Sequence, residues 1–206
     1  MNLHLFDFDK CYYGKNTSFI AGIDEAGRGP LAGPVVASAV ILPSDIIIDG
    51  LHDSKRISKK KREHLFEFIT KRSLFYSIEA VDNKTIDNIN ILQATFLAMS
   101  KCVLNLKKKA DIYLIDGNFK IPSLEIKQEA IVRGDAKSAS IAAASILAKV
   151  TRDEIMSNYG QKYPQYGFEK HKGYGTKRHC EALLKFGPCP IHRKTFAFVN
   201  EVMKVE

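Results

Sequence analysis

The sequence predicts an α/β fold in which a mixed sheet is covered by helices. Two short β-branched runs bounded by glycines stand near the start, and further strand-like runs then alternate with amphipathic helices. A long Ala-rich segment follows, which is suited to lying close against a sheet.

Residues 18–24 (SFIAGID) and 33–42 (GPVVASAVIL) read as strands, and their short glycine-rich connection makes them an antiparallel pair. Residues 74–81 and 111–116 read as two more strands, with 130–132 a shorter fifth. Ser58 is placed to cap a helix over 59–70, where Leu65, Phe66, Phe68 and Ile69 share a face opposite Lys59, Lys60, Glu63 and Glu67. Residues 89–106 have apolar groups around most of their circumference, which predicts a largely buried helix. The Ala-rich helix is expected over 136–156, and a last helix over 176–186 stops at Gly187-Pro188.

The chain has 206 residues, 45% hydrophobic and 26% charged, with 13 Gly and 7 Pro, so disorder and low complexity are excluded. With no repeat and no linker-like stretch, one domain over 1–206 is expected, with residues 160–206 as a helical appendage. The purest apolar stretches, 31–42 and 141–148, are 12 and 8 residues long. Both fall short of the roughly 20 that a membrane span needs. The start, MNLHLFDFDK, has acidic residues where a secretory signal would have a basic region, so a cytoplasmic protein without membrane contact is expected. The four cysteines are scattered and expected to be reduced. His179-Cys180 and Cys189-x-x-His192 bring sulfur and imidazole close in sequence, at a spacing that matches no common zinc frame.

Thirty-one Lys and Arg against 23 Asp and Glu give a formal charge of +8. That excess favours a polyanionic partner. It is concentrated in residues 55–62, with six bases and no acid, and in 170–194, with seven bases against Glu181. Two such patches suggest a groove following a phosphate backbone, although any one charge run more commonly solvates a helix face.

In so basic a chain, carboxylates inside apolar segments stand out, because burying an unpaired charge is expensive. Asp24 ends the first strand and Glu25 follows it in AGIDEAGRGP; Asp116 closes the fourth strand in YLIDG; Asp135, in VRGDAKS, precedes the Ala-rich helix. Adjacent strand residues point to opposite faces, so Asp24 and Glu25 are expected where the strand ends or bulges. Strand ends and helix starts meet along one edge of an α/β sheet. Asp135 alone could be an N-cap and Asp116-Gly117 a turn. Taken together, three or four carboxylates without clustered His or Cys suit Mg²⁺ or Mn²⁺. Paired ions of this kind can activate water and stabilise the leaving oxygen in phosphodiester hydrolysis. Asp153 is excluded from the set, since eighteen residues of continuous helix place it about 27 Å from Asp135.

At these residues the sequence resembles bacterial ribonuclease HII. The stretches that carry the resemblance are GIDEAGRGPLAGPVV (22–36), DSK (53–55), NI-x-x-AT (90–95), LIDG (114–117), RGD (133–135), AASI-x-AKV-x-RD (143–153), YPQYGF-x-x-HKGY-x-T (163–176) and HR-x-x-F (192–196). The resemblance implies a ribonuclease-H-like five-stranded mixed sheet flanked by helices, with a small helical C-terminal part. It further implies that Asp24, Glu25, Asp116 and Asp135 hold two Mn²⁺ or Mg²⁺ ions, and that Gly27, Arg28 and Gly29 form the loop reading the ribose 2′-hydroxyl. Tyr174 matches the tyrosine that packs on the sugar at the RNA-to-DNA step, and Lys55 and Lys172 match basic positions near the phosphates. His171 is a candidate phosphate or substrate contact, whereas His179 and His192 are expected to be structural.

The expected substrates are RNA/DNA hybrids and duplex DNA with embedded ribonucleotides, cut 5′ of the ribonucleotide by a monomer. Gly175 departs from the more usual Ala or Pro, and no sliding-clamp peptide is evident in FAFVNEVMKVE. The alternatives are a ribonuclease HIII, disfavoured by the early acidic pair and the Gly-Arg-Gly loop, and another ribonuclease-H-like nuclease such as a resolvase or transposase core. A non-catalytic RNA-binding module would have no use for four converging carboxylates.

Overall fold

The computed structural model describes residues 3–51 and 57–205. A short helix, α1 (Leu3–Lys10), precedes the antiparallel pair β1 (Ile20–Ala26) and β2 (Val35–Ile41). Helix α2 (Lys59–Arg72) leads into β3 (Phe75–Val81), and α3 (Asn83–Asn105) into β4 (Ile112–Asp116). After β5 (Gln128–Ile131) and a 3₁₀ turn (Gly134–Ala136) comes the long helix α4 (Ala139–Lys162). Helices α5 (Phe168–His171), α6 (Lys177–Phe186) and α7 (Ala197–Val205) close the chain.

The five strands lie in the order β3-β2-β1-β4-β5, the first three antiparallel and the last two parallel to β1. Alternation along the strands divides the core. Ala21, Ile23, Ala37 and Ala39 face α3, where Ala94, Ala98, Met99 and Cys102 complete one cluster. On the other face, Val40 meets α1, α2 and the alanines of α4. There the approach is close enough for the Ser38 hydroxyl to donate to the Ala144 carbonyl at 2.6 Å. A separate cluster beyond the sheet joins Met156, Tyr166, Phe168, Leu183 and Ile191.

Several expectations are corrected. β1 neither ends nor bulges at Asp24 but continues to Ala26, pairing Asp24 with Ser38 and Glu25 with Ala37. The Ala-rich helix begins at Ala139 with Ser138 as its N-cap, so Asp135 lies in the preceding 3₁₀ turn and is not a cap. α3 starts at Asn83, capped by Asp82, and carries a non-helical residue at Asn90 (φ 66°). The Asn90 side chain accepts from the N–H groups of Leu92 and Gln93, in effect capping a second helical segment that begins where the sequence predicted the whole helix to begin. Helix α1 has no counterpart in the sequence pattern, whereas α5 and α7 lie within 160–206, expected to be helical without individual bounds. α1 is anchored by Asp9, whose carboxylate accepts from the backbone N–H and hydroxyl of Ser140 at 2.8 and 2.7 Å.

Gly22 shows how tightly β1 and α4 meet: a Cβ there would collide with the backbone of Ser140 and Ile141. Gly22→Ala should therefore destabilise the protein by at least about 2–3 kcal/mol, because α4 has to move off the strand. Urea unfolding of the purified variant measures this, and a loss below about 1 kcal/mol would mean that the helix yields easily.

Candidate active site

The site forms where one flank of the sheet opens. β1 and β4 are paired as far as Ile23↔Ile115, so the next residues, Asp24 and Asp116, sit side by side at the end of that pairing. Asp24 shares the α4 face of β1 with Gly22 and is buried, with its Oδ1 accepting from the Glu25 N–H at 2.7 Å. Asp116 Oδ1 accepts from the Gly134 N–H at 2.6 Å, which ties β4 to the turn bearing Asp135. That turn is shaped by Arg133 in a left-handed conformation, and a Cβ on Gly134 would come within 2.6 Å of the Ile141 side chain. Asp135 is buried in it. Glu25 leaves the opposite face of the strand at its rim, and its Oε1 meets Arg28 at 3.3 Å.

Burial, and then the charges of Glu25 and Asp116, hold the Asp24 carboxyl well above its ordinary value, while Ser145 and the Glu25 N–H only partly offset them. The groups acting most strongly on Asp24 are therefore neutral or negative, and none of them supplies a compensating positive charge. That deficit, with oxygen donors only, fits a hard divalent cation. Among the described residues no three His, Cys, Asp or Glu side chains already stand as a ligand set, so an ion would have to draw the carboxylates together.

Next to the carboxylates lies a cavity of about 260 Å³ lined by Glu25, Gly27, Arg28, Gly29, Ser145, Lys149, Arg152 and Tyr174. It brings together the Gly-Arg-Gly loop and the tyrosine, 145 positions apart in sequence if counted from Gly29 to Tyr174. Tyr174 is 46% exposed, enough for its ring to meet a ligand. A Cβ placed on Gly29 would lie 3.8 Å from that ring.

Two arginines not singled out from the sequence build this cavity. Arg152 donates to the carbonyls of Pro34, Lys172 and Ala32 at 3.0, 3.1 and 3.2 Å. Arg193 donates to Gly33, Arg28, Gly27 and Pro34 at 3.0, 2.8, 2.6 and 3.2 Å. Both guanidiniums are buried, and burial lowers both, Arg193 to about 9. The sequence signals for them are the RD that ends the 143–153 motif and the HR of 192–196.

Of the remaining expected residues, His171 and Lys172 do not line the cavity. Lys55 lies outside the described residues. Lys172 is half-buried with its Nζ 2.6 Å from the Ser157 hydroxyl, and burial lowers its ammonium. His171 has both ring nitrogens engaged with backbone, Nε2 with the Tyr166 carbonyl at 2.7 Å and Nδ1 with the Gly173 N–H at 3.2 Å. A phosphate contact from it would have to displace one of these bonds. The 170–194 patch also presents less charge than its sequence suggests, since Arg193 is spent inside.

Carboxylates gathered where the β1–β4 pairing ends, beside a cavity lined by a glycine loop, lysine and arginine, suit a nuclease of the ribonuclease-H type. The comparisons agree: the family model for Ribonuclease HII matches residues 21–199. Ribonuclease HII of Endomicrobium trichonymphae is 62% identical over 200 residues, covering 97% of this chain and 95% of the relative. That of Bacillus subtilis (strain 168) is 51% identical over 198 residues, covering 96% and 77%. The crystal structure of ribonuclease H2 from Pyrococcus horikoshii OT3 superposes with a TM-score of 0.78 at 28% identity, covering 91% of this chain and 98% of that one. At 18% identity, Bst-RNase HIII in complex with Mn²⁺ shares the fold with a TM-score of 0.74, covering 93% and 71%. The chain belongs to the ribonuclease HII family and is a ribonuclease H, an endonuclease of a divalent-metal-dependent family.

The electrostatics make one outcome specific. Asp24→Asn removes a buried charge that two neighbouring carboxylates oppose, so without divalent metal the variant should be more stable than the wild type by about 1–2 kcal/mol. Thermal melting in chelator tests this, and a variant that melts lower would show that the charge is better compensated than the geometry indicates.

Proposed function

We propose that this enzyme cuts the RNA strand of RNA/DNA hybrids and cleaves 5′ of ribonucleotides embedded in duplex DNA, leaving 5′-phosphate and 3′-hydroxyl ends. The observation that carries the reading is the single cavity in which Glu25, the Gly27-Arg28-Gly29 loop and Tyr174 meet beside Asp24 and Asp116. A phosphodiester entering it would have its sugar against the loop and its scissile phosphate toward the carboxylates.

Asp24, Glu25, Asp116 and Asp135 would hold two divalent ions, Mn²⁺ or Mg²⁺. When bound, the metal supplies an activated water and stabilisation of the leaving oxygen. The chain's own residues do the rest. Gly27, Arg28 and Gly29, pinned from behind by Arg193, present backbone to the ribose 2′-hydroxyl, the group that separates RNA from DNA. Tyr174 lays its ring on the following deoxyribose. Lys55 and Lys172, with Lys149 in the cavity wall, hold phosphates as point charges. We further propose that the enzyme works as a monomer in the cytoplasm. Its four cysteines are free, and no helix among the described residues is long and apolar enough to cross a membrane.

Asp24→Asn and Asp116→Asn should each lower cleavage of a duplex containing one ribonucleotide by at least about a thousandfold, while hybrid affinity stays within a few fold, because the carboxylates act on metal and the lysines on phosphate. Gel-resolved cleavage with Mg²⁺, Mn²⁺ or chelator, alongside binding titrations, measures both. Cleavage persisting in chelator would overturn the metal reading.

Tyr174→Ala should reduce cleavage at a single embedded ribonucleotide by about tenfold or more, equivalent to ~1.4 kcal/mol, and cleavage of a long hybrid by less. Equal losses on both substrates with a lowered melting temperature would mean that the ring only packs its loop.

A further inference from the structure

Next to the Tyr174 backbone, and outside the lining of the cavity, three imidazoles meet. His171 stacks on His179 with centroids 4.6 Å apart and planes at 16°, and His179 Nε2 lies 3.0 Å from His192 Nε2. His179 and His192 have no solvent exposure, and the rings of Tyr166 and Phe168 enclose them.

The backbone groups at the two ends determine where the protons sit. His179 Nδ1 is 2.9 Å from the Tyr174 carbonyl, which can only accept, so that nitrogen carries a proton. Its Nε2 is then bare in the neutral ring and must accept from His192 Nε2–H. At the other end, the Cys189 N–H, which can only donate, points at His192 Nδ1 at 2.9 Å and requires that nitrogen to be bare. The Cys189 carbonyl, 3.3 Å from the same nitrogen, is the longer contact and receives no proton from it. Both ends independently impose the same direction: Cys189 N–H to His192, His192 to His179, His179 to the Tyr174 carbonyl. The tautomer of His171 is set likewise, with Nε2–H to the Tyr166 carbonyl and Nδ1 accepting from Gly173.

We propose that His179 and His192 are positioning residues for sugar recognition: their directed hydrogen-bond relay fixes the Tyr174 backbone and thereby the discrimination between one embedded ribonucleotide and a continuous hybrid. The proposal rests on the reading of Tyr174 given above. The carbonyl that the relay holds also accepts from Thr176 N–H at 2.8 Å, and the Tyr174 N–H donates to the His171 carbonyl at 3.0 Å, so the ring hangs from a backbone held at both ends. Apolar packing alone would need neither buried imidazole, and each polar nitrogen left unpaired there would be costly.

The relay works only with neutral rings, since a second proton on either would set N–H against N–H. The groups facing the pair are His171, with Glu169 and Arg178 acting on it, and Cys189. Burial first, then the neighbouring imidazoles, lower both His179 and His192 to about 4, from an ordinary 6.5. Below pH 6.5 the unfolded chain therefore takes up protons that the fold refuses. The stability held by the pair is complete above that pH and is lost as pH falls toward 4.

The test compares His179→Phe, which keeps a ring in the stack but cannot donate, with His179→Asn, which keeps a donor near the Nδ1 position but loses the stack. In His179→Phe the ratio of single-ribonucleotide to long-hybrid cleavage should fall about tenfold, and in His179→Asn it should stay within about threefold of wild type. The melting temperature of His179→Phe should depend less on pH between 4 and 6.5 than that of wild type. An unchanged ratio in His179→Phe, or equal falls in both variants tracking lost stability, would overturn the proposal. Nitrogen-detected NMR of the folded wild type gives a readout independent of cleavage: His179 protonated at Nδ1 and His192 at Nε2 near neutral pH. The opposite tautomers, or a charged ring, would also overturn it. A wild type without any substrate preference, showing the expected tautomers, would instead remove the reading of Tyr174 and with it this role.

Discussion

Six hydrogen bonds from two buried guanidiniums, two from Arg152 and four from Arg193, organise the segment 27–34. The carbonyls of this connection between β1 and β2 turn inward and would be costly to bury unpaired. An arginine answers several at once, because its planar fork offers five donors in fixed directions and remains charged where a lysine would lose its proton. Arg152 comes from α4 and Arg193 from the segment before α7, so the same contacts hold the sheet, the long helix and the C-terminal part in one relation. Arg152 also takes the Lys172 carbonyl, next to the loop of Tyr174. The two elements of the cavity proposed to recognise the sugar are thus hung from one pair of side chains.

The carboxylate cluster has the opposite character. Its charges are brought together by parallel pairing of β1 with β4 and by the Gly134 N–H to Asp116, and they oppose one another. A fold that stores such repulsion must be rigid around it, and here the rigidity comes from the alanine face of α4 and from Gly22, which allow helix and strand to meet almost backbone to backbone. A cation held there, as proposed, would relieve the repulsion, setting stability without metal against readiness for metal in the same residues.

Charge on the rest of the molecule is also divided by burial. The net +8 of the sequence overstates what a polyanion would meet, since two arginines are consumed in the interior and several lysines are paired along helices, as Lys149 is with Asp153 at 2.7 Å. What lines the cavity is Arg28, 3.3 Å from Glu25, and the same Lys149, a setting suited to phosphate contacts that position a strand without reading its sequence.

The sequence by itself determined the elements whose signal is local. Glycine-bounded β-branched runs, the Ser58 cap and the alanine periodicity each depend on neighbours within a turn or a strand, and these elements are present with their ends shifted by up to six residues. The four carboxylates were legible for a related reason, as charges out of place in apolar surroundings. Tertiary structure alone decided the rest. The first helix carries no strong pattern of its own and is held by Asp9 reaching Ser140, 131 positions away. β1 runs on past Asp24 because β2 continues to pair with it, and Asn90 breaks α3 by capping from within. The roles of Arg152, Arg193, His179 and His192 rest on bonds to carbonyls or imidazoles brought close by folding, up to 166 positions apart for Arg193 and Gly27. Such pairings leave no periodic trace in the chain, because each partner is chosen by the packed arrangement of whole elements rather than by the residues beside it.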